Sequence, residues 1–200
     1  MKKLLVLFGF LLLGCPMFAQ VHQVRGSFTP GHYYTKEGQR VEGLIRHVYG
    51  AQTGEGPSNQ IEVKPTAKAK PVPLTTKDVQ AFVLGQDSFT VKKSFDISQF
   101  NHYQEDFMRV VKSGALNLYL HYSTSTFPTL QPVLTYLVEK DGEFYRMVRP
   151  KNFSEQINLL IADNKAILQK VKNKDYTFED LQVLIDAYNL WAVNKAVKVE

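Results

Sequence analysis

The chain has 200 residues, of which 44% are hydrophobic and 22% charged, so it is long enough to bury one substantial core. The formal charge is +5, and removal of Lys2 and Lys3 with the export signal described next leaves 22 basic against 19 acidic residues, a net charge of +3. This weak and dispersed positive charge, without a basic helix or an aromatic-plus-basic motif, argues against nucleic acid as a partner.

Residues 1–19 have the organisation of a bacterial secretory signal peptide. Lys2-Lys3 form a basic start, Leu4 to Gly14 an apolar run, and Phe18-Ala19-Gln20 a cleavage region. The apolar run is shorter than the about 20 residues that a membrane-spanning helix needs. We therefore expect an exported protein of the periplasm, the outer envelope or the extracellular space.

Cys15 is the only cysteine, and two interpretations of it remain open. Leu12-Leu13-Gly14-Cys15 resembles the cleavage box of a lipoprotein, in which the cysteine carries the lipid. Ala19-Gln20 is typical of ordinary secretion, which we favour. Ordinary secretion leaves no cysteine in the mature chain and so excludes disulfides, a cysteine nucleophile and thiolate metal ligands. Membrane association requires lipidation of Cys15.

The chain after the signal begins with an expected flexible lead-in over residues 20–30, followed by an antiparallel β domain over residues 31–150. Gly31 to His47 predicts a first hairpin, and Gly43 in its return strand indicates a bulge or a close approach of two backbones. The Gly-rich residues from Tyr49 onward predict a loop.

Further short strands are predicted in the middle of the chain. Gln60 to Lys64, Val79 to Leu84 and Ser88 to Phe95 have strand patterns, whereas Asp96 to Glu105 is polar and predicts a loop. Phe107 to Tyr122 then predicts a hairpin turning at a Ser-Gly pair.

The clearest local signal lies in Pro132 to Arg149. Asp141-Gly142 suits the two positive-φ positions of a type I′ turn, so Lys140 should face Glu143. Alternation along the two strands then predicts one apolar face, formed by Leu134, Tyr136, Val138, Tyr145 and Met147.

Residues 151–193 change to a helical period and predict a C-terminal helical hairpin packed on the same domain. Asn152 is the expected cap of the first helix, Thr177 and Asp180 form a capping box for the second, and residues 194–200 are an expected frayed tail. The predicted fold class is therefore α+β, with an antiparallel sheet, sandwich or small barrel followed by a helical hairpin.

Four segments in this order resemble a group of uncharacterised secreted proteins from Bacteroidetes-type bacteria. The resemblance covers most of residues 31–189 and implies a fold and an exported location, but no activity, because none is established for the group. Members often have Asp-Cys in the first C-terminal helix where this chain has Asp163-Asn164, so no redox role is implied. The segments are GHYYTKEGQRVEGLI, TTKDVQAFVLG, the pair FMRVVKSGALNLYLHY and YLVEKDGEFYRMV, and INLLIADNKAILQKVKNKDYTFEDLQVLIDAYN.

No motif in the chain predicts a catalytic site, a metal site or a cofactor. The histidines have no HxH, HxxxH or HExxH spacing, the serines no GxSxG or SxxK pattern, and the glycines no phosphate-binding loop. The nearest approach to a polar cluster is His102, which precedes Tyr103, Glu105 and Asp106. A solvated loop is the simpler interpretation of that cluster.

Six aromatic residues are candidates for a ligand or partner surface, although packing is the simpler role for tyrosines in strands. The favoured hypothesis is a non-enzymatic binding or assembly protein whose ligand is a protein or a carbohydrate. One alternative is an exported hydrolase of glycan or peptide that uses loop carboxylates or His102. Another is a lipid-anchored accessory subunit of an envelope complex. The candidate residues are Tyr33, Tyr34, His102, Tyr103, Tyr119 and His121.

Overall fold

A computed structural model describes residues 23–52, 57–125, 131–147 and 153–197 of the chain. In these residues eleven strands form one antiparallel sheet that three α-helices follow, which confirms the predicted α+β fold class. The strands are β1 (Gln23–Arg25), β2 (Thr29–Thr35), β3 (Arg40–Gly50), β4 (Asn59–Lys64), β5 (Val72–Leu74), β6 (Val79–Leu84), β7 (Asp87–Ser98), β8 (Asn101–Lys112), β9 (Asn117–Thr124), β10 (Pro132–Lys140) and β11 (Glu143–Met147). The helices are α1 (Phe153–Leu160), α2 (Lys165–Lys172) and α3 (Leu181–Val197).

The sheet folds over on itself. Its strand order is β11-β10-β9-β8-β7-β6-β2-β3-β4-β5, with β1 also paired to β3. Although β4 and β8 are far apart in this order, Ile45 of β3, Ile61 of β4 and Phe107 of β8 pack in one buried cluster. A single bent sheet therefore buries its own inner face, as the two sheets of a sandwich would.

The β10–β11 hairpin has the predicted register, with Lys140 opposite Glu143 at one end and Tyr136 opposite Met147 at the other. Asp141 and Gly142 have φ values of 53° and 86°, as a type I′ turn requires. The helices cover the apolar face of this hairpin and bury a cluster of Val138, Met147, Ile157, Leu160, Leu184 and Ile185.

The predicted close approach at Gly43 is confirmed. A Cβ atom there would lie 2.9 Å from the carbonyl oxygen of Lys64 on β4. Gly31 on β2 is tighter still, because a Cβ atom would lie 2.2 Å from the carbonyl oxygen of Val83. Only glycine allows these neighbouring strands to approach so closely.

The loop predicted for Asp96 to Glu105 is wrong, because β7 and β8 continue through it to a tight turn. Phe95 and Tyr103 are opposite each other across the two strands, and their rings stack with centroids 5.2 Å apart. Both side chains are buried in a cluster with Leu137 of β10. Contacts with a distant strand therefore stabilise a segment whose own sequence is mostly polar.

The helical part differs from the predicted hairpin in detail. The first predicted helix is divided into α1 and α2, because the Asn164 side chain caps α2 by accepting a hydrogen bond of 3.0 Å from the Ile167 amide. The capping box at Thr177 and Asp180 is present. Helix α3 continues to Val197, beyond the expected start of the tail. The expected cap at Asn152 lies outside the described residues.

The signal peptide and Cys15 also lie outside the described residues. Within the described part of the chain, no helix is long and apolar enough to cross a membrane.

Candidate functional site

A buried carboxylate, that of Asp106, links the two sides of the folded sheet. The ladder between β8 and β9 ends at Met108 and His121, two strand positions before it would reach Asp106. Ser58 and Asn59, at the start of β4, lie against this point and hydrogen-bond to the carboxylate instead. The Asp106 side chain therefore takes the place of a strand partner for the β4 backbone.

Six hydrogen-bond donors surround the fully buried Asp106 carboxylate. The Ser58 amide and hydroxyl both lie 2.9 Å from Oδ2, and the Asn59 side-chain amide lies 2.8 Å from it. His121 Nε2 approaches the same oxygen at 3.0 Å. The Asn59 and Phe107 amides lie 3.2 and 2.8 Å from Oδ1. These donors replace the water that the carboxylate loses on burial.

His121 and Asp106 form a buried pair that does not have the order of a catalytic triad. The Ser58 hydroxyl donates to Asp106, whereas His121 Nδ1 has no hydrogen-bond partner within the described chain. In a serine hydrolase the nucleophile bonds to the histidine and the aspartate orients it. The His121 ring instead packs edge-on against Tyr103, with centroids 4.7 Å apart. The pair belongs to the core.

His47 extends the network on β3. Its Nε2 lies 2.7 Å from Asn59 Oδ1, and because the Asn59 amide nitrogen donates to Asp106 and to the Tyr122 carbonyl, the histidine is the donor in this bond. Burial lowers the pKa of His47 to about 4, while the bond to Asn59 opposes the shift. His47 is therefore neutral at pH 7.

A cleft of about 710 Å³ lies next to this network, at the ends of β7, β8, β9 and β10; we call it the polar cleft. One wall is apolar and includes Leu134, Tyr136 and Phe178. Among the described lining residues the only charged side chain is Arg146. Seven lining side chains are neutral and polar: Gln52, Ser98, Asn101, Ser123, Thr124, Ser125 and Thr135.

Two hydroxyl groups beside the polar cleft are enclosed by protein. Tyr103 and Thr124 are 1% and 7% exposed, and neither hydroxyl oxygen makes a hydrogen bond of acceptable geometry within the described chain. Burial raises the pKa of Tyr103 to about 12, and an interaction of its hydroxyl with the Ser58 side chain opposes the shift. Because the Tyr103 and Thr124 hydroxyl oxygens are enclosed, they belong to the framework behind the surface of the polar cleft.

The structure does not gather the six candidate aromatic residues into one surface. Tyr103 lines the polar cleft, and His121 packs beneath it. Tyr119 is buried and donates a hydrogen bond of 2.9 Å to Glu139. His102 lies 2.9 Å from Asp96 at the exposed end of the β7–β8 hairpin. Tyr33 and Tyr34 are half-buried on β2, which lies between β6 and β3 and is separated from β8 by two strands in the sheet order.

Sequence reasoning missed the residues that make the network and the cleft. Asp106 was expected in a loop beside Glu105, and its position in a strand next to Phe107 and Met108 was the available signal of a buried charge. Asn59 and Arg146 have no local signal, because their partners are distant in the chain.

In the described residues no group of three or more His, Cys, Asp or Glu side chains is placed to hold a metal ion. Comparison with known proteins gives no further guidance: no protein-family model matches the chain, and no curated protein or solved structure matches it either. The fold defines the class as an α+β protein with a folded antiparallel sheet.

Proposed function

We propose that the chain is an exported, non-enzymatic binding protein and that the polar cleft is its ligand site. The observation that carries this proposal is the composition of the concave site, whose described lining combines seven neutral polar side chains and one guanidinium with an apolar wall. The volume of about 710 Å³ lies in the range of small-ligand pockets, about 300–1,000 Å³, and the mixture of an apolar wall with a few polar groups is typical of them.

The hydrolase alternative has less support. The described lining of the polar cleft includes no carboxylate, whereas a glycosidase needs two that face each other. His102 and Asp96 pair at the exposed end of a hairpin, and Asp106 is enclosed by its six donors. The residues that could act as acid or base in this alternative, His102 and the loop carboxylates, therefore lie apart from the polar cleft.

The ligand site is tested by NMR titration of the mature protein with short saccharides and tripeptides. We expect saturable shifts at the amides of Ser123 and Thr135 with at least one compound. Thr135→Trp should abolish them by filling the polar cleft, and Val72→Trp, on the distant edge strand β5, should not. Leu134→Ala, at a site 55% exposed, weakens binding without a folding defect. Equal binding by wild type and Thr135→Trp would place the ligand elsewhere.

Export and anchoring are tested separately by mass spectrometry of the mature N-terminus. A start at Gln20 supports ordinary secretion. A diacylglycerol-modified Cys15 as first residue supports the lipid-anchored alternative, in which the same cleft serves an accessory subunit of an envelope complex. An unprocessed Met1 in the cytoplasmic fraction would contradict the proposed export.

A further inference from the structure

Arg146 differs from the other arginines that the structure describes. Arg25 and Arg46 pair with Glu62, Arg40 pairs with Glu42, and Arg109 pairs with Asp87. Arg146 has no carboxylate within ion-pair distance among the described residues. One of its nitrogens, Nη1, donates a hydrogen bond of 2.7 Å to the carbonyl oxygen of Ile97.

The hydrogen bond to Ile97 holds the Arg146 guanidinium at the polar cleft and uses only one of its N–H donors. A guanidinium has five N–H donors in a planar fork, and the fork matches the two oxygens of a carboxylate. Asp96 shares a smaller neighbouring pocket with Arg146, but its carboxylate contacts the His102 ring at 2.9 Å and is not part of the described lining of the polar cleft. The polar cleft therefore presents one unpaired positive charge and, in its described lining, no negative one.

The rest of the lining suits a ligand that is rich in hydroxyl groups. Side chains such as Asn101, Ser123 and Thr135 both donate and accept hydrogen bonds, as a sugar hydroxyl does. The Tyr136 and Phe178 rings, with centroids 6.1 Å apart, form an apolar wall on which the C–H face of a sugar ring can pack. Because the described lining is neutral apart from Arg146, a ligand that matches this charge carries at least one negative group.

We propose that the polar cleft binds a carboxylated saccharide, of the uronic acid class, with the carboxylate paired to Arg146 and the ring hydroxyls on the neutral side chains. This inference rests on the proposed function, since it names the ligand class of the same site. An extended peptide is less well matched, because the lining residues that the structure describes include no carboxylate for its amino terminus.

The test compares trigalacturonate with its fully methyl-esterified form by calorimetry, because esterification removes the negative charges and otherwise adds only one methyl group to each carboxylate. Wild type should bind the acid about tenfold or more tightly than the ester, as charge-assisted hydrogen bonds are stronger than neutral ones. Arg146→Gln should reduce this ratio to about twofold or less, and Arg146→Lys should keep part of it. Arg40→Gln, a control on β3 away from the cleft, should leave the ratio unchanged.

Three results would overturn the inference. They are equal affinity for acid and ester, an unchanged preference in Arg146→Gln, and no saturable binding of trigalacturonate. If neutral saccharides or tripeptides still bind and Thr135→Trp blocks them, the inference has failed but the proposed function stands. If trigalacturonate binds Thr135→Trp as tightly as wild type, both have failed.

Discussion

Removal of the Asp106 carboxylate is the sharpest test of the folded sheet. Asp106→Ala leaves the Ser58 and Asn59 amides and His121 Nε2 without their acceptor in a site that excludes water. Each buried donor left without an acceptor costs about 1–3 kcal/mol, and because the site relaxes in part we expect about 4 kcal/mol in total here. Since domains are stable by about 5–15 kcal/mol, this is a large part of the total.

The assay is urea unfolding at pH 7, followed by the fluorescence of Trp191, the only tryptophan. In a separate thermal unfolding experiment we expect the melting temperature of Asp106→Ala to lie about 10 °C below that of wild type. Asp106→Asn keeps the shape but replaces one acceptor oxygen with an NH₂ group, which cannot accept from the surrounding N–H and O–H donors. Most of the loss in stability seen for Asp106→Ala should therefore remain.

A second aspartate–histidine pair supplies the matched control. Asp96 and His102 are 2.9 Å apart, but their side chains are 69% and 48% exposed. Asp96→Ala should therefore cost less than about 1 kcal/mol, because water and salt screen an exposed pair. If the two alanine variants lose the same stability, the carboxylate of Asp106 does not join the two sides of the sheet and the reasoning is refuted.

Three further variants test other parts of the fold by the same unfolding assay. Burial holds the folded pKa of His47 near 4 against 6.5 for the free side chain, so stability should fall as pH drops from 6.5 toward 4, and less steeply in His47→Gln. Gly31→Ala should lower the free energy of unfolding by about 2 kcal/mol, because its Cβ atom would clash with the neighbouring backbone. Gly85→Ala is the control: with φ +57° and open space around it, it should cost about 1 kcal/mol. Asn189→Ala should cost about 2 kcal/mol, because this side chain bonds the amide and carbonyl of the β8–β9 connection at 2.7 and 2.9 Å; Asn194→Ala, on an exposed part of α3, should be neutral.

Each of these has a result that contradicts it. A His47→Gln profile that runs parallel to wild type between pH 6.5 and 4 would mean that the histidine does not titrate on unfolding in that range. Similar losses in the two glycine variants would show that the strands at Gly31 can separate at little cost. A neutral Asn189→Ala would mean that apolar packing and the Lys112–Asp186 ion pair hold α3 on the sheet without this side chain.

Local patterns predicted the elements whose geometry depends on near neighbours. The Asp141-Gly142 turn sets the register of β10 and β11 because two residues with positive φ leave one favourable pairing. The Thr177–Asp180 capping box likewise needs only residues three apart. The division between α1 and α2 also has a local cause, the Asn164 cap on the Ile167 amide. Next to this cap Asp163 makes a long-range contact, because it accepts hydrogen bonds of 2.9 and 3.0 Å from the Tyr188 hydroxyl of α3.

The candidate site was predictable only in fragments. His121, His102 and Tyr103 were all candidates, but their sequence positions could not tell a buried pair from an exposed one. Asp106 meets Asn59 across 47 positions of the chain, and Arg146 meets Ile97 across 49. No periodicity within a strand records such contacts, because they arise from the fold of the whole sheet.

The amino-acid sequence alone determined the antiparallel strands, the β10–β11 register and the helical C-terminal part, because short-range sterics and alternating hydrophobicity decide these features. Only the tertiary structure decided that β3 and β4 fold over onto β8 and β9. That fold-over buries the Asp106 network and leaves the polar cleft open beside it, with Arg146 unpaired among the described residues. The physical reason is that burial and charge pairing depend on which strands meet in space, and strands far apart in the chain meet here.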